Sequence, residues 1–214
     1  MKRPRILIAD DHRIVAEGLR SLLEPEFELV EVVEDGAQMV EAAKQFAPDV
    51  IVADITMPRL NGLEALEQLR SANCTAKVIF LTMHKDATYA ARALHAGASG
   101  FVLKHSASSE LVNAIRESLM GRAYVTPAVA ESLKEWSASR LESTVEGVSN
   151  LTPRQREVLQ LFAEGRSAKE VAHWLHISTR TAENHKARIM KLLGLSTTAD
   201  LVQYALRHQI IGPE

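Results

Sequence analysis

The chain has 214 residues, 46% of them hydrophobic and 24% charged, with a formal net charge of −2. That is the composition of one large or two small globular domains, and no apolar stretch approaches the roughly 18 residues that span a membrane. The single cysteine, Cys74, excludes an internal disulfide framework and a multi-cysteine zinc site, and makes a reduced cytoplasm the natural compartment. The opening MKRPRILIADD is basic, but its acids follow too soon for the apolar core of a signal peptide.

The front of the chain alternates strands with helices. Strands are predicted near 5–9, 27–33, 49–53, 77–81 and 100–103, and helices near 13–23, 37–46, 62–70, 86–96 and 107–120. Four of the strands (RILIA, VIVA, KVIFL and GFVL) are uniformly apolar, as parallel strands buried on both faces must be. The other, FELVEVV, alternates apolar and acidic residues and fits an edge. The pattern predicts a doubly wound α/β domain with strand order 2-1-3-4-5. Gly121 ends its last helix; a further helix runs from Thr126 or Pro127 to about Leu141, and ESTVEGVSN reads as linker.

The back is helical in pattern and densely capped. Thr152 with Gln155 and Ser167 with Glu170 have the form of capping boxes, Ser178 or Thr179 caps a third helix, and Thr197 with Asp200 the last. Gly165 and Gly194 fall where helices end. Four short helices in about 60 residues match the scale of a helix-turn-helix domain. The charge divides along the same line: residues 1–149 hold 16 Lys and Arg against 21 Asp and Glu, and residues 150–214 hold 9 against 6. The basic end is the candidate for nucleic acid.

The chemistry lies where the apolar strands stop. They end at Asp10 and Asp11, at Asp54, at Thr82 and at Lys104. Ligands of open parallel sheets bind beyond the carboxyl ends of the strands. Three carboxylates crowded there repel one another unless a cation intervenes, and Mg2+ prefers carboxylates, water and phosphate oxygens. Asp54 stands alone at its strand end and can attack phosphorus, while Lys104 neutralises one phosphoryl oxygen and Thr82 donates to another. Read singly, an Asp pair is a helix cap, Thr82 a loop hydroxyl and Lys104 a solvated charge. His12, His84 and His105 flank the site, read as solvated loop histidines, and show no metal-binding spacing.

These residues resemble a known family. An acidic pair, then D-x-x-M-P-x-x-N-G from Asp54, a strand-end Thr and a strand-end Lys form the pattern of response-regulator receiver domains over residues 5–120. The resemblance implies that Asp54 is the phosphoacceptor and that Asp10, Asp11, Asp54 and the carbonyl of Thr56 hold Mg2+. It also implies that Thr82 and Phe101 form the switch.

From Leu151 to Leu195 the chain closely resembles the LuxR-type helix-turn-helix through L-T-P-R-x-R-E-V-L, G-x-S-x-K-E-V-A, L-x-I-S-x-R-T-A-E-x-H and I-M-K-L-L-G-L. Ala168 replaces the family's usual Asn and Ala182 its usual Val. The candidate recognition helix, about 179–193, turns Ala182, Ile189, Leu192 and Leu193 inward. It offers Thr179, Arg180, Thr181, Glu183, Asn184, Lys186, Arg188 and Lys191 to DNA, with Lys186 expected nearer the bases because it lies nearer the helix N-terminus.

The expectation is a receiver domain over 1–121, a linker with a helix over 122–149 and a DNA-binding domain over 150–214. Together they form a NarL/FixJ-type transcriptional response regulator. Its implied partners are a histidine kinase, double-stranded DNA, a second copy of itself and RNA polymerase, with no membrane. Two rivals stand beside it. One is a phosphorylation-independent regulator that uses the receiver as a dimerisation scaffold. The other is an Asp-nucleophile phosphatase, which would need a second Asp where Thr56 stands.

Overall fold

The computed structural model describes residues 2–83, 87–139, 151–208 and 210–211. The chain divides into two compact units, one built from residues 1–57 and 61–143, the other mainly from residues 144–214.

The first unit is a parallel sheet with helices on both faces. Its strands are β1 (Arg5–Ala9), β2 (Glu28–Val33), β3 (Val50–Asp54), β4 (Lys77–Thr82), β5 (Gly100–Leu103) and β6 (Tyr124–Val125), in the order β2-β1-β3-β4-β5-β6. The predicted order of the first five is the observed one, and FELVEVV supplies the edge strand β2. The addition is β6, two residues that pair in parallel with Gly100 and Phe101 of β5.

The interleaved helices are α1 (Arg13–Leu23), α2 (Gly36–Phe46), α3 (Gly62–Ser71), α4 (Ala87–His95) and α5 (Ala107–Leu119), with α6 (Pro127–Ser139) following β6. One face of the sheet buries Ile6, Ile8, Val50, Val52, Ile79, Leu81 and Val102 against Leu19 and Leu23 of α1 and Leu111 and Ile115 of α5. Each such side chain contributes about 1.5–3 kcal/mol, so the central strands are the rigid base from which loops project.

β6 is held by side chains as well as by pairing. The Tyr124 hydroxyl and the Thr126 hydroxyl both donate to Glu110 Oε2, at 2.9 and 2.8 Å. Thr126 Oγ1 also accepts from the backbone N–H of Leu103 at 3.3 Å. Burial and the Glu110 carboxylate push the Tyr124 phenol above its ordinary pKa.

The second unit holds α7 (Pro153–Ala163), α8 (Ala168–Trp174), α9 (Thr179–Leu193) and α10 (Thr198–Arg207). The caps are those the sequence predicts. Complete boxes join Thr152 to Gln155, Ser167 to Glu170 and Thr197 to Asp200, and Ser178, not Thr179, caps α9 by accepting from Thr181 N–H. Each cap is worth about 1 kcal/mol, which matters in a bundle this small. α9 ends at Gly194 with φ +67°, a left-handed turn that suits glycine. The core gathers Leu159, Phe162, Val171, Ala182, Ile189, Leu201 and Ala205.

Leu192 departs from expectation. It is 53% exposed rather than turned inward. It lies four residues after Arg188, on the same turn-to-turn row, so the solvent face that carries Arg188 carries Leu192 too.

Candidate functional site

In the first unit, the loop after β1 and the end of β3 lie side by side because those strands pair, with Ala9 opposite Ala53. Asp10 and Asp54 are therefore neighbours at the carboxyl edge, 2% and 4% exposed. Donor atoms of Asp10, Asp11, His12 and Asp54 all lie within 4.8 Å of one another. Lys104 follows β5 and reaches across the edge, its Nζ 2.7 Å from Asp54 Oδ2 and 2.7 Å from Asp10 Oδ2. Thr82 ends β4 and is buried beside this edge. Thr56 is half-buried in the loop, its N–H directed at Asp54 Oδ1 at 3.4 Å, behind the shorter bond from Ile55 N–H at 2.6 Å.

Electrostatics favour an added cation. Burial raises the Asp54 carboxyl above its ordinary pKa; the Lys104 ammonium only partly opposes this, and the Asp10 charge adds to it. Burial alone would lower the Lys104 pKa, but attraction to Asp54 and hydrogen bonds to Asp10 and Asp54 carry it upward. One ammonium thus serves several carboxylates. Asp10 Oδ2 is buried against the Lys104 ammonium, 2.7 Å away. A cluster of hard oxygen donors with this surplus of negative charge fits a divalent ion.

The Asn61-Gly62 pair leads into α3. The Asn61 side chain caps α3, its Oδ1 accepting from the N–H groups of Leu63 and Glu64, both at 3.0 Å. Gly62 is required by proximity: a Cβ there would sit 2.3 Å from the Asp54 carbonyl oxygen and 2.8 Å from Phe80 Cε1. Phe101 is fully buried in β5, with Val125 of β6 opposite it. His84 lies outside the described residues. His12, read from the sequence as a solvated loop histidine, is 65% exposed and places its Nδ1 2.8 Å from Asp11 Oδ1, a contact that sequence adjacency does not show.

In the second unit, α9 presents Arg180, Glu183, Asn184, Ala187, Arg188, Lys191 and Leu192 as one exposed row, while Thr179 and Thr181 are half-buried near its start. Lys186 sits on the flank. Its Nζ lies 4.8 Å from the centroid of the Phe162 ring and donates to Thr198 Oγ1 at 3.0 Å. The sequence pattern could not show this, because Phe162 and Thr198 belong to other helices. No helix among the described residues is long and apolar enough to cross a membrane.

The comparisons with known proteins fall on the same two units. Residues 6–116 match the model of the response regulator receiver domain, and residues 149–205 that of the bacterial regulatory proteins of the luxR family. The chain is 39% identical to the transcriptional regulatory protein MctR of Rhizobium johnstonii, covering 97% of this chain and 95% of that protein. It is 33% identical to the oxygen regulatory protein NreC of Staphylococcus carnosus, covering 97% and 99%. Among solved structures, the RcsB response regulator of Salmonella typhimurium aligns with a TM-score of 0.64 at 28% identity, covering 95% of this chain and 97% of that one. RcsB has also been solved in a complex with DNA, which aligns with a TM-score of 0.59 at 26% identity, covering 95% and 98%.

Proposed function

Because the chain belongs to the response regulators that join a receiver to a LuxR-type helix-turn-helix, we propose that phosphorylation of Asp54 controls its binding to DNA. The observation that carries this reading is the buried Asp54 carboxylate at the end of a central strand, with Lys104 Nζ 2.7 Å away and two further Asp residues beside it. The chain is a receiver-type regulator and not a turnover enzyme. Its chemistry is confined to its own aspartate.

A phosphohistidine of a partner histidine kinase, or a small acyl phosphate, is the donor. A carboxylate oxygen of Asp54 attacks phosphorus, an acyl phosphate bond forms, and the bond to the donor breaks, the leaving nitrogen or oxygen taking its own proton or charge away. Asp10, Asp11, Asp54 and the Thr56 carbonyl are the residues that would hold Mg2+, which supplies charge neutralisation for the phosphoryl oxygens. Lys104 gives up Asp54 for a phosphoryl oxygen, and Thr82 donates to another. Modification replaces the single charge of the carboxylate with up to about −2 on the acyl phosphate at a buried position, so these residues must rearrange. With Phe101 they bias a two-state equilibrium whose shift from 1:99 to 99:1 takes about 5.5 kcal/mol.

The exposed row of α9 is the proposed DNA reader, acting in a homodimer whose paired helices meet paired half-sites. RNA polymerase is the further partner that a transcription regulator implies, and the cytoplasm is the compartment such partners require. Thr179, Arg180 and Thr181 start the helix, where N–H groups favour phosphate. Asn184 is suited to adenine, Glu183 to cytosine, and Arg188 and Lys191 to phosphate or guanine.

Lys186 and Arg188 point about 200° apart on an ideal helix, so they cannot share one base step. With Lys186 Nζ turned onto Phe162 and Thr198, Arg188→Ala is expected to cost about 1–3 kcal/mol of binding. Lys186→Ala is expected to cost less in binding and more in the stability of this domain. Binding titrations over salt, with specific and scrambled duplexes, together with thermal melts, check both. Equal binding losses in the two variants would assign them equal roles.

The test of the whole reading is a titration of the full chain with beryllofluoride and Mg2+, which together mimic the phosphoryl group. DNA affinity and self-association, followed by fluorescence anisotropy and sedimentation, are expected to rise together. No change in either would favour a receiver that serves only as a dimerisation scaffold.

A further inference from the structure

His12 is the N-cap residue of α1, yet its side chain makes no capping hydrogen bond. Its backbone N–H donates to Asp10 Oδ1 at 2.9 Å, and its ring turns back toward the acidic pair. The ring Nδ1 lies 2.8 Å from Asp11 Oδ1 and 3.4 Å from Asp10 Oδ1. Two ligands on adjacent corners of an octahedron with bonds of about 2.1 Å are about 3 Å apart, so the Nδ1–Oδ1 separation is that of a shared coordination edge. The same short distance serves as a hydrogen bond while no ion is bound. The demand for a cation comes from the carboxylates themselves: Asp10, Asp11 and Asp54 gather here, and Lys104 Nζ, 2.7 Å from Asp10 Oδ2 and from Asp54 Oδ2, is a single positive charge. The His12 side chain is 65% exposed, which leaves its Nε2–H free to stay in water when Nδ1 is engaged.

We propose that His12 ligates the receiver's divalent ion through Nδ1, and that this nitrogen donor tilts the site from Mg2+ toward first-row transition ions. The proposal rests on the reading of the acidic cluster as a metal site, and goes beyond it by assigning a ligand and a selectivity. Mg2+ favours an all-oxygen shell. An imidazole in the shell strengthens binding of Mn2+ and, further along the Irving–Williams series, of Co2+. Loss of His12 should therefore weaken the three ions unequally.

The experiment is calorimetric titration of the full chain with MgCl2, MnCl2 and CoCl2, for wild type, His12→Ala and Asp11→Asn. His12→Ala is expected to leave the Mg2+ affinity within about twofold, and to weaken Mn2+ and Co2+ progressively, the latter by about tenfold or more. Electron spin-echo modulation of bound Mn2+ reads the ligand directly. A nitrogen signal is expected in wild type and lost in His12→Ala. Equal losses for all three ions, or a spectrum without nitrogen in wild type, would overturn the proposal while leaving the acidic metal site standing. A nitrogen signal that survives in His12→Ala would assign another ligand and overturn it too. If none of the ions binds wild type more tightly than Asp11→Asn, the metal site itself fails, and the proposal with it.

Discussion

Asp54→Asn is expected to abolish phosphorylation and, at neutral pH, to stabilise the receiver. Asparagine keeps the size and polarity of the side chain but cannot form an acyl phosphate. The second effect follows from the charge inventory. Asp10, Asp54 and Lys104 together carry one negative charge more than positive, and burial raises the Asp54 carboxyl above its ordinary pKa. Removing its charge leaves Lys104 and Asp10 as a neutral pair 2.7 Å apart, so no uncompensated ion is created. The Asp54 pKa is raised in the folded protein. Its ionisation therefore costs stability above that raised value, and costs nothing once the pH falls below the unfolded value of about 3.9. The advantage of Asn at pH 7 should shrink as the pH falls through the raised value and vanish below the unfolded one. Urea melts at pH 7 and below the unfolded value, with acid-labile phosphate uptake from acetyl phosphate, measure both effects. One phosphoryl group per chain in the variant would remove Asp54 as acceptor, and a lower midpoint at pH 7 would refute the charge argument.

Gly62→Ala is expected to be the most disruptive single-methyl change in the site. The added Cβ would meet the Asp54 carbonyl oxygen at 2.3 Å and the Ile55 Cα at 3.2 Å, both backbone atoms that cannot rotate away. The hydrogen bond from Gly62 N–H to the Ile55 carbonyl, 2.8 Å, holds the two segments at that separation. Relief requires β3 and the start of α3 to move apart, at about 3 kcal/mol, carrying the Asp54 backbone and the Thr56 loop with them. Denaturant midpoints should fall and phosphorylation from acetyl phosphate should slow. A variant with wild-type values for both would show that the close approach is unimportant.

Much of this architecture was legible in the sequence because it is local. Uniformly apolar strands that stop at Asp, Thr or Lys locate the sheet's carboxyl edge without any knowledge of packing. The capping boxes are four-residue patterns, and all three occur where the pattern places them. What escaped depends on contacts between distant elements. Tyr124-Val125 has no apolar run to mark a strand, and becomes one only because β5 offers an open edge and Glu110 accepts from both Tyr124 and Thr126. Asn61-Gly62 is legible in the sequence only as the end of the D-x-x-M-P-x-x-N-G motif. Its reasons are a helix cap and a close approach of two backbones. Leu192 was placed by helical periodicity alone, and a sequence pattern cannot know that Phe162 and Thr198 stand beside Lys186.

The sixth strand also governs how the sheet ends in solvent. β5 is four apolar residues, Gly100–Leu103, all buried. Along its outer side, the carbonyls of Ser99 and Phe101 accept from Tyr124 and Thr126 N–H, and Leu103 N–H donates to Thr126 Oγ1. A receiver cut at residue 121, just past α5, loses all of these partners. It would present a bare, apolar strand, the kind of edge that recruits a strand from another molecule. Such a fragment should self-associate in a concentration-dependent way that says nothing about signalling, whereas a fragment ending after α6 should not. The short Tyr-Val segment is thus a stop on the sheet, and where the chain is cut decides whether an isolated receiver reports its own behaviour or that of an exposed edge.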